Sequence, residues 1–384
     1  MSALKFAGRA ERIKASPIRE ILSVSNRPGM ISFAGGLPAA DTFPEVDALS
    51  FEKGDLQYGP SEGESYLREY VAADLKKAGW QVSADQILIL TGSQQGIDLV
   101  GKLFIEKGTK VAVASTTYLA ALQVFSMYGA DYVPFDVGSV NDAIAQTKPA
   151  ILYANPTFQN PSSEVYTLQQ RQSVAYACEE NGSLLFEDDP YRELCYEPCE
   201  RQPICSMTSH GSWVYQSTFS KTVAPGLRIG YLVCSADLYP KLLMLKQASD
   251  LHTSRVAQRL VMNILHKEDL AIRLEKLRHK YKAKRDAFDE SLHKHFSHLA
   301  AWNKPSGGLF FWLTLNSDKN IDTRQLLGAA VESGVTFMPG EPFFADGRTA
   351  SSCFRLNFSG ASIDGYDEGL RRLAVIFEKQ MLEC

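Results

Sequence analysis

The sequence predicts an α/β protein, with a mostly parallel sheet between helices in a large portion and a smaller α+β portion at the C-terminal end. The first observation is that short apolar runs alternate with helical segments over residues 86–234. Continuous apolar strands joined by helices are typical of parallel sheets that are covered on both faces. The second observation is a helical pattern that continues through Phe296, followed by strand-like runs at 307–315 and 354–359. The six runs of the large portion are 86–91, 110–115, 149–154, 183–188, 213–218 and 228–234.

Local signals place the elements that precede the first of these strands. Ser16 offers a capping hydroxyl and Pro17 follows it, which predicts the start of a helix that stops before Gly29. Residues 31–33 predict a short strand, and residues 60–79 predict a helix that ends at a glycine.

Composition narrows the class of protein. The chain has 384 residues, 45% of them hydrophobic and 22% charged, as in an ordinary globular protein. A net charge of −4 gives no electrostatic footprint for nucleic acid. The first 20 residues lack the apolar core of a signal peptide, and no apolar run approaches the roughly 18 residues that a membrane helix needs. We therefore expect a cytoplasmic protein that binds neither nucleic acid nor membrane.

The cysteines and histidines raise the question of a metal site. The chain has seven cysteines without a CxxC pair, which favours reduced thiols. A zinc site built from Cys195, Cys199 and Cys205 is an alternative, although its spacing is loose. The histidines of HKHFSH (293–298) and the basic run 273–285 are better explained by a long amphipathic helix with a solvated face. We therefore expect no metal site.

The candidate functional residues follow the predicted strands. In open α/β sheets, ligands bind outside the carboxyl ends of the strands. After the strand at 86–91 come Gly92, Ser93 and Gln94, at the start of a helix where free N–H groups and the helix dipole favour an anion. The pattern is neither a P-loop nor GxGxxG, so it does not imply a nucleotide.

The next two strand ends supply an aromatic ring and an amide. Tyr118 follows the strand at 110–115, where its ring could stack on a planar ligand or pack in the core. The loop NPTFQNPSS follows the strand at 149–154. Its two Asn-Pro pairs favour extended or turn backbone and leave the Asn160 side chain free to bind a ligand.

Two adjacent carboxylates, Asp188 and Asp189, follow the strand at 183–188. Buried carboxylates are costly without a partner. We expect Asp188 to hold a protonated ring nitrogen, with Tyr191 beside it, and Asp189 to cap a following helix.

The segment STFSKTVAPGLR (217–228) carries a lysine among hydroxyls. Lys221 lies near a second cation, and such a lysine has a lowered pKa and is nucleophilic toward carbonyls. Arg228 is a permanent cation that suits a phosphate. An amine, an anion cradle, an aromatic plate, an amide and a ring-nitrogen carboxylate match the groups of pyridoxal 5′-phosphate (PLP).

The ordered set of motifs resembles the class I, fold-type I PLP-dependent aminotransferases over nearly the whole chain. The resemblance is closest to the branch with 2-aminoadipate and kynurenine aminotransferases and MocR-type regulators. The motifs that carry it are RIKASPIREIL, ISFAGGLP, LQYGPSEGESYLR, ILTGSQQGIDLV, NPTFQNPSS, EDDPYREL, STFSKTVAPGLRIGYLV, KQASDLHTS and FRLNFS.

The resemblance implies a role for each site residue. Lys221 would form the Schiff base with PLP, Asp188 would pair with the ring nitrogen, and Arg355 would bind the substrate α-carboxylate. Gly36 would lie near that carboxylate, and Arg19 would contact distal groups of the substrate. Tyr58 would reach the phosphate from the other subunit of a homodimer. The remaining cofactor contacts would be Ser93, Gln94, Tyr118, Asn160, Tyr191, Thr218, Ser220 and Arg228.

The resemblance also implies an architecture and an activity. A seven-stranded sheet would lie in a PLP-binding domain of residues 46–282, between an N-terminal arm (1–45) and a small domain (283–384). The activity would be ping-pong transfer of an amino group from a 2-aminoadipate-, glutamate-, aromatic- or kynurenine-like L-amino acid to a 2-oxo acid such as 2-oxoglutarate.

Two other functions use the same fold. One alternative is a PLP-dependent β-lyase or decarboxylase, since the same carbanion can eject a β-substituent. The other is a ligand-sensing regulator. The second is disfavoured by the net charge and by a fold that is expected to begin within about 20 residues, leaving no room for a DNA-binding domain.

Overall fold

The computed structural model describes residues 4–13, 21, 23–25, 27–45, 51–267, 269–316, 321–348 and 350–383. The predicted helix start at Ser16 and the candidate Arg19 lie outside these residues. The strands are β1 (Ile31–Ser32), β2 (Ile87–Leu90), β3 (Lys110–Ala114), β4 (Asp131–Phe135), β5 (Ile151–Ala154), β6 (Leu184–Asp188), β7 (Trp213–Thr218), β8 (Gly230–Cys234), β9 (Ala300–Trp302), β10 (Phe310–Leu315), β11 (Val335–Thr336), β12 (Met338–Pro339) and β13 (Cys353–Asn357).

Helices cover the sheets and connect their strands. The longest, α9, has 27 residues and lies across the predicted domain boundary at residues 282 and 283. The helices are α1 (Gly8–Glu11), α2 (Ser65–Lys77), α3 (Ser93–Phe104), α4 (Leu119–Tyr128), α5 (Val140–Thr147), α6 (Leu168–Asn181), α7 (Tyr239–Asp250), α8 (Arg255–Lys267), α9 (Leu270–Phe296), α10 (Leu327–Glu332) and α11 (Tyr366–Glu383).

The large sheet has seven strands in the order β2-β8-β7-β6-β5-β3-β4. Neighbours are parallel except that β8 runs antiparallel to both β2 and β7. The predicted mostly parallel sheet is thus confirmed, and so is its seven-stranded size. Since β3, β5, β6 and β7 run in the same direction, their carboxyl ends meet at one edge of the sheet.

Both faces of the large sheet are buried, as the continuous apolar runs predicted. Alternate residues of β5 pack on opposite faces, with Leu152 in one hydrophobic cluster and Tyr153 in another. Strand side chains point alternately to the two faces. Because both faces are covered, apolar residues follow one another along a strand and do not alternate with polar ones. This arrangement leaves the polar residues of the chain to gather beyond the strand ends.

The smaller sheet is antiparallel, in the order β12-β13-β10-β9. It packs against α9 and α11 through an aromatic-rich core that includes Phe288, Phe311 and Phe354. The strand predictions at 307–315 and 354–359 correspond to β10 and β13. Strand β13 carries Arg355 toward the edge of the large sheet, where its guanidinium contacts Asn160.

Candidate active site

Polar side chains from five separate segments converge in a pocket at the carboxyl edge of the large sheet. The cavity has a volume of about 200 Å³. Ten of the predicted site residues line it together, although they are spread over 136 positions of the sequence. The pocket is lined by Leu37, Ser93, Gln94, Tyr118, Asn155, Asn160, Asp188, Pro190, Tyr191, Thr218, Ser220, Lys221, Pro225 and Arg228.

One end of the pocket is a cationic cradle at the start of α3. Ser93 is the first residue of α3, so its turn presents backbone N–H groups that the helix does not use. Gly92 precedes it with φ of 77°, and a Cβ there would lie 2.3 Å from Nη2 of Arg228. The close approach of the Arg228 guanidinium to this turn therefore requires glycine. An anion placed here would meet both the N–H groups and a permanent charge.

Two hydroxyls after β7 extend the cradle. The Thr218 hydroxyl donates to the Ser220 hydroxyl at 2.9 Å, and the Ser220 backbone N–H donates to the Thr218 oxygen at 3.1 Å. Both residues are buried. These bonds fix the turn that leads into Lys221.

Lys221 lies between the two ends of the pocket, half-buried. Its Nζ donates to the backbone oxygen of Gly36 at 2.9 Å and lies 5.7 Å from the ring centroid of Tyr191. Burial, with the nearby charges of Arg355 and Arg228, lowers the pKa of Lys221 to about 8. No carboxylate of the described residues forms a salt bridge with it. A lysine of this kind has a large neutral fraction near physiological pH and can attack a carbonyl.

Asp188 closes the opposite end. Its Oδ2 accepts a hydrogen bond from the Tyr153 hydroxyl at 2.7 Å, while Oδ1 is buried and has no partner among the described residues. Burial raises the pKa of Asp188 to about 6, against the opposing effects of the Tyr153 hydrogen bond and the nearby Gln216 side chain. A buried oxygen of this kind can accept a hydrogen bond from a ring N–H⁺.

Two asparagines, Asn155 and Asn160, form the wall of the pocket between Asp188 and Arg355. Asn155 donates from Nδ2 to the Asp188 backbone oxygen, and its Oδ1 accepts from the Asn160 backbone N–H at 2.9 Å. The Asn160 side-chain oxygen in turn accepts from Nη1 of Arg355 at 2.7 Å. Tyr191 is buried beside them, edge-on to the ring of Phe310.

Arg355 is buried, with an exposed fraction of 1%. Its Nη2 donates to the Ala34 backbone oxygen at 2.6 Å, and its guanidinium lies 4.2 Å from the ring centroid of Phe310. Nε is buried and has no partner within the described part of the chain. Burial lowers the pKa of Arg355 to about 10, so it stays cationic at neutral pH. Such a group is suited to a carboxylate ligand.

The remaining predicted residues lie in different places. Gly36 adjoins Lys221 through its carbonyl, as described above. Tyr58 is 75% exposed and packs edge-on against His252, away from the pocket of its own chain. Arg19 falls outside the described residues, so its position is not defined.

The helix cap expected at Asp189 is wrong. Residues 190–193 form a bend and a turn, and the Asp189 backbone N–H donates to the Gln216 oxygen of β7 at 3.0 Å. No helix follows Asp189 in this stretch of the chain, so there is no helix start for it to cap. Its side chain is fully buried, and burial raises its pKa to about 7.

Sequence reasoning missed Tyr153 and Asn155. Tyr153 lies inside an apolar strand and looked like a core residue, while Asn155 was counted only as half of an Asn-Pro turn. The strand direction is the signal that could have found them, since Tyr153 lies beside Phe186 of β6 in the register. Its side chain therefore starts close to Asp188.

The pocket fits PLP on its own structural evidence. The unpartnered Oδ1 of Asp188 suits the ring nitrogen, the cradle at Gly92 suits a phosphate, and the amine of Lys221 suits the aldehyde. The fit does not involve a metal. Within the described ranges, no three His, Cys, Asp or Glu side chains are grouped to hold an ion. Nor is any described helix both long and apolar enough to cross a membrane.

Comparison with known proteins gives a consistent result. The family model "Aminotransferase class I and II" matches residues 31–373. The 2-aminoadipate transaminase of Thermus thermophilus is 35% identical, over 96% of this chain and 95% of the relative. Aromatic-amino-acid aminotransferase 1 of Thermococcus litoralis is also 35% identical, over 98% and 94%.

A solved structure of similar sequence has the same fold. The kynurenine aminotransferase of Pyrococcus horikoshii, solved in complex with PMP, superposes with a TM-score of 0.91 at 34% identity. The match covers 98% of this chain and 97% of that one. PMP is the amino form of the cofactor that the pocket fits.

Proposed function

Because this chain belongs to the class I and II aminotransferases and is PLP-dependent, we propose that its donor is an L-amino acid of 2-aminoadipate, glutamate, aromatic or kynurenine type. The acceptor in this proposal is 2-oxoglutarate or a similar 2-oxo acid. The observation that carries it is a buried arginine, Arg355, with a free Nε beside the Lys221 amine. The relatives' substrates support the choice of donors.

In this proposal, different residues of the pocket bind different groups of the cofactor. Asp188 pairs with the ring nitrogen, and Tyr191 and Asn160 hold the ring hydroxyl. The phosphate is held by Ser93, Gln94, Thr218, Ser220 and Arg228, and the Tyr118 ring stacks on the cofactor ring. PLP supplies an electron sink for the bond that breaks at the substrate Cα.

Lys221 moves the proton in this proposal. Its pKa of about 8 leaves a neutral amine available near physiological pH, and the Gly36 carbonyl at 2.9 Å orients it. The amine would take the proton from the substrate Cα and deliver it to C4′ of the cofactor, two bonds away, as general base and then acid. The same residue holds the cofactor between turnovers.

Arg355 orients the substrate. Asn160 and the Ala34 carbonyl hold two of its nitrogens, so the guanidinium is fixed before the α-carboxylate arrives. Fixing the carboxylate holds the Cα–H bond in one direction, which is a contribution from positioning. Gly36 lies next to this carboxylate. A Cβ on Gly36 would lie 3.4 Å from Cζ of Phe310, so the absence of a side chain lets the Phe310 ring pack close to this backbone.

We place the donor side chain in a groove that adjoins the pocket. The groove has a volume of about 740 Å³ and shares Gln94 with the pocket. Its walls combine apolar side chains such as Leu119 and Phe344 with Arg324 and Arg348, whose charges are already paired with Glu341 and Asp346. An apolar wall suits an aromatic donor, and a cation suits a distal carboxylate. We assign the distal contact to Arg19, as the resemblance implies.

The proposal extends to the assembly and the location of the protein. The proposed homodimer would bury Tyr58, which is 75% exposed, and would place its hydroxyl at the partner's phosphate. We retain the division into an arm (1–45), a PLP-binding domain (46–282) and a small domain (283–384). A cytoplasmic location is consistent with free thiols at all six described cysteines.

The donor proposal is tested with a panel of L-amino acids and 2-oxoglutarate. We expect kcat/KM to be highest for 2-aminoadipate, glutamate, kynurenine or an aromatic amino acid. A higher rate with a small aliphatic donor would contradict the proposal. Release of pyruvate from a cysteine conjugate, faster than oxoglutarate-dependent turnover, would instead favour the lyase alternative.

The Arg19 assignment has its own test. Arg19→Ala is expected to lower kcat/KM for 2-aminoadipate by about tenfold, the effect of one charge-assisted hydrogen bond, with little change for an aromatic donor. Arg9→Ala, an exposed arginine of α1, is the control. Equal effects on the two donors would refute a distal contact with the substrate carboxylate.

A further inference from the structure

Tyr153 lies underneath the active site and does not line the pocket. It is fully buried on β5, and its hydroxyl donates to Oδ2 of Asp188 at 2.7 Å. The rings of Phe125 and Phe186 pack edge-on against it, with centroids 5.7 and 5.5 Å away. Because these two rings pack against Tyr153, its side chain is held in one orientation, with the hydroxyl directed at Asp188.

The Tyr153 bond and the Asn155 bond hold Asp188 at two points. Tyr153 occupies one carboxylate oxygen, and Asn155 donates to the backbone oxygen of the same residue. Tyr153 therefore orients the Asp188 carboxylate, and Asn155 holds the Asp188 backbone. Only Oδ1 remains without a partner in the described part of the chain.

We propose that Tyr153 is a positioning residue that aims Oδ1 of Asp188 at the cofactor ring nitrogen and keeps the carboxylate ionised. The proposal rests on the role proposed for Asp188. Tyr153 touches neither substrate nor cofactor in it, and acts through Asp188 alone.

Electrostatics predict the direction in which the pKa of Asp188 shifts when the Tyr153 hydroxyl is removed. Burial favours the neutral form of Asp188 and raises its pKa to about 6, whereas a hydrogen bond to the carboxylate favours the charged form. Removing the Tyr153 hydroxyl therefore raises the pKa of Asp188 further. It also leaves Oδ2 buried without a donor, so that a smaller share of the enzyme can pair with a protonated ring.

The experiment is a titration of apo-enzyme with PLP, followed by the change in protein fluorescence, from about pH 5 to about pH 9. Tyr153→Phe keeps the packed ring and removes only the hydroxyl. We expect the Kd for PLP to rise about tenfold at neutral pH, as for one lost hydrogen bond to a charged group. The pH above which binding reaches full strength should move upward.

Steady-state kinetics at saturating PLP give a second measurement. Because Tyr153 acts on the ring and not on the substrate, Tyr153→Phe should lower kcat and leave the KM of the donor unchanged. Tyr166→Phe is the matched control, since Tyr166 is buried in the same part of the molecule and its hydroxyl has no partner among the described residues. This control should retain the wild-type Kd, pH profile and kcat.

Asp188→Asn distinguishes failure of the Tyr153 proposal from failure of the role proposed for Asp188. If Asp188→Asn weakens PLP binding and Tyr153→Phe retains the wild-type Kd and pH profile, the Tyr153 proposal is overturned while the role of Asp188 stands. If Asp188→Asn is itself silent, both are overturned. If Tyr153→Phe weakens binding equally at every pH, or if Tyr166→Phe weakens it to the same extent, the effect is structural and the positioning role is rejected.

Discussion

The two ends of the pocket that are proposed to hold the phosphate (the phosphate end) and the ring nitrogen (the ring end) are built in different ways. At the phosphate end, Arg228 is exposed and Ser93 is half-buried, and the positive field comes from a permanent cation and from a helix start. At the ring end, Asp188 and Asn155 are each 2% exposed and Tyr153 is fully buried. The charge of Asp188 depends on burial and on the opposing effects of the Tyr153 hydrogen bond and the Gln216 side chain.

The difference predicts a division of labour. An arginine and backbone N–H groups do not titrate near neutral pH, so the phosphate end should contribute to affinity at every working pH. A carboxylate whose pKa is about 6 changes its charge close to neutrality, and its proposed partner is the ring where the chemistry would occur. Variants at the ring end should therefore lower kcat as well as weaken PLP binding, whereas variants at the phosphate end should change the Kd for PLP alone.

The largest effect is expected from Asp188→Asn. The cofactor ring would lose the partner of its protonated nitrogen, and breaking a buried charge pair costs about 3–5 kcal/mol, or roughly 10²- to 10³-fold. We expect kcat at saturating PLP to fall by that factor. Asp189→Asn changes an adjacent buried carboxylate outside the pocket lining and is the control. Equal loss of kcat in both variants would show that the effect is not specific to the ring end.

Arg228→Gln is the corresponding variant at the phosphate end. Hydrogen bonds to a charged group contribute about 1.5–3 kcal/mol, so the Kd for PLP should rise roughly 10- to 100-fold. Turnover at saturating PLP should stay close to that of the wild type, and the Kd should depend less on salt. A loss of kcat that added PLP does not restore would contradict the proposed division.

Gly92→Ala tests the cradle without removing a charge. The residue has φ of 77°, and a Cβ would lie 2.3 Å from Nη2 of Arg228, so the guanidinium must move. Strain of this kind costs about 1–3 kcal/mol, and we expect a roughly tenfold rise in the Kd for PLP together with a lower Tm.

The control for Gly92→Ala is Gly182→Ala. Gly182 has φ of 65° at the end of α6, and a Cβ there would meet nothing within 4 Å. This control should lower Tm and leave the Kd unchanged, because it adds the backbone strain alone. A rise in Kd in both variants would mean that general strain, and not the displaced guanidinium, weakens binding.

The two ends also differ in how far the sequence predicted them. The phosphate end was predictable because Ser93 and Arg228 lie at strand and helix boundaries, where turn residues and a lone cation stand out. The ring end was predicted only in part. Asp188 stands out after an apolar strand, but Tyr153 is one aromatic residue within such a strand. Its contact with Asp188 comes from the pairing of β5 with β6, which no local pattern specifies.

The smallest effect concerns stability and pH. In the apo-protein the pKa of Asp188 is raised from 3.8 to about 6, so the folded state binds more protons than the unfolded state within that range. The contribution of Asp188 to the free energy of unfolding therefore falls as pH rises through the range. Bound PLP should offset this loss, because its ring nitrogen pairs with the ionised carboxylate.

We accordingly expect the rise in Tm caused by PLP to be larger at about pH 7.5 than at about pH 5, by a few degrees. The phosphate also titrates near this range, so the comparison must be made with Asp188→Asn, in which the part due to the ring end is absent. Differential scanning fluorimetry of both proteins, with and without PLP, measures it. If wild type and Asp188→Asn show the same pH dependence, the ring end has no part in it, and the contrast between the two ends fails on stability.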